Sequence, residues 1–258
     1  MDTKKAIRNM WSIADKPERM RCFHKIVFEL GLNDAKLFWS EFWNIWQSSE
    51  NLHEDLAYFT DLIEHGLGLG SPHKGLDKDE KAAIKALPEV VTIYRGCVDF
   101  NQVGYSWTTD REKAKWFAGR SFGSTTRMVL RGIANKSNVL AFLAGRGESE
   151  IVIHPEQVID VEIDEQWETA DEGNGLFYAV QSGRLDQLFG GGDEMNLVRA
   201  KMTVASMSNR AEHMAELEEM LAFCEWGDLR SKEGYFREVL RLLRDDAVPI
   251  PALSTFQM

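Results

Sequence analysis

Three short stretches in the middle of the chain are polar where an ordinary strand would be apolar. The first, Tyr94-Arg95-Gly96, ends a β-branched run with an arginine followed by a glycine. The second, Gly104-Tyr105-Ser106-Trp107-Thr108-Thr109-Asp110, carries hydroxyls along a short strand and into the cap of a helix. The third, Gly145-Arg146-Gly147-Glu148-Ser149-Glu150-Ile151-Val152-Ile153-His154, is a glycine-rich turn, two glutamates separated by one residue, and a strand. A guanidinium presents a rigid fork of donors that suits phosphate oxygens. A fixed carboxylate stabilises positive charge that develops on a sugar carbon as it loses its leaving group. Residues two apart on a strand share a face, so Glu148 and Glu150 reach one cleft if the strand extends that far. A second carboxylate there can orient or deprotonate an attacking group, and a neighbouring pair also suits a guanidinium.

Taken singly, these residues have plainer explanations. An arginine at a strand end pairs with an acidic neighbour, Ser106 and Thr108 serve a strand and a helix cap, and alternate glutamates line a solvated strand face. Their joint order is more specific: Arg, then Ser-x-Thr ahead of a helix, then Glu-x-Glu entering a strand, within about 56 residues. That order resembles the R-S-E group of ADP-ribosyltransferases, among them arginine-modifying bacterial toxins, phage enzymes that modify host proteins, and vertebrate ecto-enzymes. The resemblance covers residues 90 to 164 and leaves both flanks unmatched.

What the resemblance implies is a mono-ADP-ribosyltransferase with NAD as co-substrate and a macromolecular acceptor. A glutamate at the position of Glu148 goes, in the family, with modification of protein arginine, so a target protein with an acceptor arginine is the expected partner. Glu150 is then the catalytic carboxylate. Arg95 holds phosphate or nearby ribose oxygens, and Gly96 lets the backbone approach the nicotinamide amide. Ser106 steadies the catalytic glutamate or the nicotinamide ribose, and Thr108 supports the strand. The aromatic residue and arginine that the family places over the nicotinamide match Phe122 and Arg120 best. NAD glycohydrolysis, transfer to a nucleic acid, and a non-catalytic helical interaction protein with a degenerate core are the alternatives. The intact Arg95, Ser106 and Glu150 argue against the last.

These residues need strands and helices to hold them, and the hydrophobic period supplies both. Met20, Phe23, Val27 and Leu30 predict a helix ending at Gly31; a second opens at Asn33-Asp34 with Phe38, Phe42, Trp43 and Trp46 along one side. Leu52, Leu56, Phe59 and Ile63 make a third stripe, stopped by Gly66, and Asp77 with Glu80 is a capping-box start for a fourth helix. The aromatic cluster reads as core. The run Gly66 to Gly75 lacks the spacing of a phosphate-binding loop and reads as a flexible connector. From residue 89 the period drops to two, predicting strands at 90–94, 103–108, 127–133, 139–142, 150–154 and 158–163, interrupted by one helix capped by Asp110. In the last strand Ile159, Val161 and Ile163 alternate with Asp160, Glu162 and Asp164, predicting one face in the core and one in water. Helical periodicity returns at 176–188 and around Met214 to Cys224 and Phe236 to Leu243, with Gly190-Gly191-Gly192 as a hinge.

The expected fold is therefore α+β: an ADP-ribosyltransferase-like split antiparallel β-sheet core (89–164), an N-terminal helical segment (1–88) and an acidic C-terminal helical segment (165–258). Of the formal net charge of -11, -2 falls on the first segment, -1 on the second and -8 on the third. A chain this acidic has no global attraction to phosphate backbones, so nucleic acid is not expected as a partner, and the C-terminal segment can dock a basic one. Three cysteines without ligand spacing suggest neither a disulfide framework nor a metal site. The longest apolar run, Val139 to Ala144, is far too short for a membrane span, and the first residues lead into no apolar signal core. The expected location is cytoplasmic, including that of a host cell into which the protein is delivered or in which it is expressed.

Overall fold

A computed structural model describes residues 2–49, 56–120, 126–144, 149–169, 200 and 210–244. The chain folds as two compact units, one formed by residues 1–31 with 179–258 and the other by residues 32–178. The first boundary falls at Gly31, inside the helical run, rather than at the change of period near residue 88. The reason is packing: helices after Gly31 carry aromatic side chains that belong with the strands.

The first unit is helical. Helix α1 (Thr3–Ile13), which no stripe in the sequence had marked, opens on Asp2, whose carboxylate accepts from the Lys5 N–H. Helix α2 (Lys16–Leu30) ends where predicted, on a left-handed Gly31. The described C-terminal helices, here named by order in the chain, are α7 (Arg210–Gly227) and α8 (Arg230–Arg244). Leu217, Val239, Leu240 and Leu243 form a small core between them. The Trp226 indole donates to Glu29 at 2.9 Å, tying α7 to α2. Several acidic side chains of this unit are matched locally, as in Arg244 with Glu218 and Arg237 with Glu225.

The second unit is α+β and holds every described candidate residue. Its helices are α3 (Ala35–Ser48), α4 (Leu56–Leu69), α5 (Lys78–Ala86) and α6 (Arg111–Arg120). Asp34 caps α3, and Asp77 with Glu80 makes the predicted capping box of α5. Phe38, Phe42, Trp43 and Trp46 are buried, as read from their spacing, and Trp39 is buried with them. Helix α4 runs through Gly66 instead of stopping there; the glycine serves close packing, since a side chain at 66 would lie 2.3 Å from the Phe38 ring. Nor is the segment after it a loose connector. Pro72–Gly75 is a helical turn, and the Trp39 and Trp43 indoles donate to the carbonyls of Gly70 and Pro72. The helical reading at 176–188 and the hinge reading at 190–192 lie outside the described residues.

Six antiparallel strands follow: β1 (Val90–Val98), β2 (Ser106–Thr108), β3 (Thr126–Asn135), β4 (Val139–Leu143), β5 (Glu150–Ile153) and β6 (Val158–Glu168), in the order β4-β5-β2-β1-β3-β6. The pairing is uneven. Strands β1 and β3 are matched residue by residue from Val90↔Asn135 to Val98↔Arg127, whereas β1 and β2 meet at one pair, Tyr94↔Thr108. Two three-stranded halves are thus joined at a single register. Helix α6 lies across the junction and explains Gly96: a Cβ there would sit 1.8 Å from the Ala114 carbonyl oxygen.

Strand β6 departs from the expected pattern. Ile159, Val161 and Ile163 are 50%, 50% and 55% exposed, not buried. β6 is an outer strand paired only with β3, and its ladder is broken by register shifts between Val129/Leu130 and Arg131/Ile133, with Asp160 at φ 52°. Alternation marks which residues share a face; it does not say that anything covers that face. Among the described residues no helix is long and apolar enough to cross a membrane.

Gly96→Ala is expected to push α6 off β1 and lower the unfolding midpoint by roughly 4–8 °C, the scale of an overpacked contact. A thermal melt followed by circular dichroism checks it, and an unchanged midpoint would show that the helix is not seated on Gly96.

Candidate active site

Arg95 lies on β1 next to the single pair that joins the sheet halves. Its Nη1 donates to the Ser106 carbonyl at 2.7 Å, its Nη2 to Asn101 O at 2.8 Å and its Nε to Gln102 O at 3.1 Å. The guanidinium therefore folds the β1–β2 connection around itself and bonds directly to β2. These bonds use three of the five N–H groups of an arginine, leaving one on each terminal nitrogen. Burial pushes the Arg95 pKa below its ordinary value, opposed by the nearby Cys97 and Glu150. Gly104 makes the arrangement possible, since a Cβ at that position would stand 2.5 Å from Arg95 Nη2.

Ser106 is the link between Arg95 and Glu150. While its carbonyl takes the Arg95 bond, its Oγ donates to Glu150 Oε1 at 2.5 Å. The register explains the meeting: Thr108 faces Glu150 and Ser106 faces Val152 across β2 and β5, so Ser106 and Glu150 are diagonal neighbours on one face. Thr108 is buried, and its Oγ1 accepts from the Asp110 N–H at 3.1 Å. Asp110 in turn accepts from the Lys113 N–H at 3.1 Å and caps α6 as predicted. Thr108 thus serves the turn into the helix.

Glu150 opens β5 directly after Ser149, a non-glycine residue at φ 47°. A serine in the left-handed region is uncommon and costs conformational energy, which the surrounding strands must offset. The Glu150 carboxylate has a second donor that its sequence neighbourhood did not reveal. Trp46, at the inner end of α3, donates from Nε1 to the same Oε1 at 3.1 Å. Trp46 belongs to the stripe read as core and is indeed only 3% exposed, but its polar edge reaches the carboxylate. Tyr105 stands beside it, its ring edge-on to Trp46 and to His154, its hydroxyl 3.1 Å from Thr60 of α4.

Arg95, Ser106 and Glu150, spread over 56 residues of sequence, are thus brought into one hydrogen-bonded chain. Comparison with family models, with curated proteins and with solved structures finds no match to this chain. The site must be read from its own geometry.

Several other candidates fall elsewhere. Glu148 and Phe122 lie outside the described residues. Arg120 ends α6 with its guanidinium 4.7 Å over the exposed Trp116 ring, not against Arg95, Ser106 or Glu150. Gly96 is close to Arg95 in sequence, but what its missing side chain admits is α6. A cavity of about 340 Å³ opens between Val103, Trp107, Leu130, Val161 and Ile163. Trp107 alternates with Ser106 and Thr108, so this cavity lies on the other side of β2 from the serine–glutamate pair.

Cys97, two residues from Arg95, is a buried thiol. Burial raises its thiol to about 11, and the Cys22 and Cys224 thiols are likewise raised to about 12 by burial. All three are neutral thiols at pH 8 and buried. Ellman's reagent is expected to titrate none of them in the native protein and all three after denaturation; fast labelling of a native thiol would contradict that burial.

Proposed function

We propose that the protein is a mono-ADP-ribosyltransferase that cleaves NAD and transfers the ADP-ribose to a macromolecular acceptor, with protein arginine as the acceptor. The observation that carries this reading is the 2.5 Å bond from Ser106 Oγ to Glu150 Oε1, with Arg95 bonded to the same serine. Arginine, serine and glutamate in that order are the residues on which the resemblance to the R-S-E transferases rests. The sheet of two halves joined at Tyr94↔Thr108 supports a split ADP-ribosyltransferase-like core.

The chemistry follows from the charges. As the bond between ribose C1′ and the nicotinamide nitrogen breaks, its electron pair goes to that nitrogen and neutral nicotinamide leaves. Positive charge develops on the sugar, and an ionised Glu150 held by two donors stabilises it without having to reorganise. Arg95 has a terminal N–H on each side for phosphate or ribose oxygens, while its other bonds keep the β2 entry in place. An acceptor nitrogen then supplies the pair that forms the new bond to C1′ and gives up a proton, with Glu148 as the base. Water in the acceptor's place gives hydrolysis of NAD.

Purified protein with labelled NAD is expected to label an arginine-rich acceptor protein. Glu150→Ala should reduce labelling by about 10³-fold, the scale of a lost electrostatic stabiliser, and Ser106→Ala by roughly tenfold or more through the lost hydrogen bond. Absence of both NAD consumption and NAD binding would overturn the proposal. A finer experiment is Glu148→Gln: transfer should be lost while hydrolysis persists, and equal loss of both would remove Glu148 from the acceptor step.

A further inference from the structure

The three tryptophans of α3 spend their indole N–H groups differently. Trp39 and Trp43 donate to backbone carbonyls of the turn that follows α4, the usual way a buried indole is satisfied. Trp46 donates to a side chain 104 residues away, and that side chain is Glu150. Its ring is gripped on several sides: Phe59 stands edge-on at 4.8 Å, Phe42 is tilted at 6.0 Å, and Tyr105 is edge-on at 6.4 Å. A ring held in this way cannot turn its N–H elsewhere without repacking the aromatic core.

We infer that Trp46 is the positioning residue of the catalytic carboxylate, setting the orientation in which Glu150 meets the ribose of the substrate; this rests on the reading of Glu150 as the catalytic group. An indole N–H is a donor only, whereas a serine hydroxyl can give or accept. With Trp46 at 3.1 Å, Oε1 is committed as an acceptor, and the Ser106 hydroxyl at 2.5 Å must donate to it. Together the two donors fix the plane of the carboxyl group, which one rotatable hydroxyl alone does not. The catalytic apparatus accordingly begins in helix α3, ahead of the strand-rich region that resembles the transferases.

The test uses the full chain and two readouts. Trp46→Phe keeps an aromatic ring in the core and removes the N–H. It is expected to lower kcat for NAD cleavage about tenfold or more, as for a lost bond to a charged group, while KM for NAD changes less than about twofold. A variant with unchanged kcat would overturn the inference, and so would one in which KM rises and kcat does not. The second readout needs neither activity nor the Trp46 variant to fold. In the nitrogen-15 spectrum, Glu150→Ala is expected to shift the Trp46 indole resonance and leave those of Trp39 and Trp43 in place; an unmoved Trp46 resonance also overturns the inference. A wild-type protein that neither binds nor cleaves NAD while Trp46 still responds to Glu150 removes the proposed function itself, and the catalytic role of Trp46 with it.

Discussion

Between β1 and β2 the sheet is held by one residue pair, and the Arg95 guanidinium adds one hydrogen bond across that gap, to the Ser106 carbonyl, and two more to the connection between the strands. Everything else at the site depends on this. Arg95 fixes the Ser106 carbonyl, the Ser106 backbone sets where its hydroxyl lies, and the hydroxyl meets Glu150. A two-residue offset of β2 along β1 would take the Ser106 carbonyl out of reach of Arg95 without changing a single side chain. The arginine is therefore part of the scaffold and, by its remaining donors, available to a ligand. A lysine could carry the same charge but has no fork able to span carbonyls at 101, 102 and 106.

The second dependence is on helices that precede the sheet. Trp46 and Thr60 come from α3 and α4, yet they meet Glu150 and Tyr105 on β5 and at the entry to β2. The aromatic cluster thus does two things at once: it buries apolar area and delivers a directed N–H to a carboxylate. The compact unit that contains the site begins at Leu32 for this reason.

How much of this was legible in the sequence depends on the range of the interaction. Caps at Asp34, Asp77 and Asp110 and the stop at Gly31 rest on contacts within a few residues, and local pattern revealed them; the six strands pair over long range but show themselves by their period of two. The meeting of Arg95, Ser106 and Glu150 is what the resemblance to the R-S-E transferases implies, and local pattern alone does not give it. Trp46 could not be anticipated, since a tryptophan at helical spacing reads as core and nothing local says where its N–H points. Gly96 is also a seat for α6, a role that needs the position of the helix axis to be seen. The exposed row on β6 shows the same limit, because alternation predicts a face but not a cover.

Ser149 carries a consequence for how the site tolerates change. The strand that presents Glu150 starts from a backbone conformation that glycine adopts freely and serine does not. A glycine at 149 would relieve that cost in the folded chain, yet it would also widen the range of directions from which the glutamate enters the strand. Relief of strain and loss of aim would arrive together. Position 149 is thus a place where one substitution can relax the backbone and loosen the aim of Glu150 together, with no contact of the carboxylate altered.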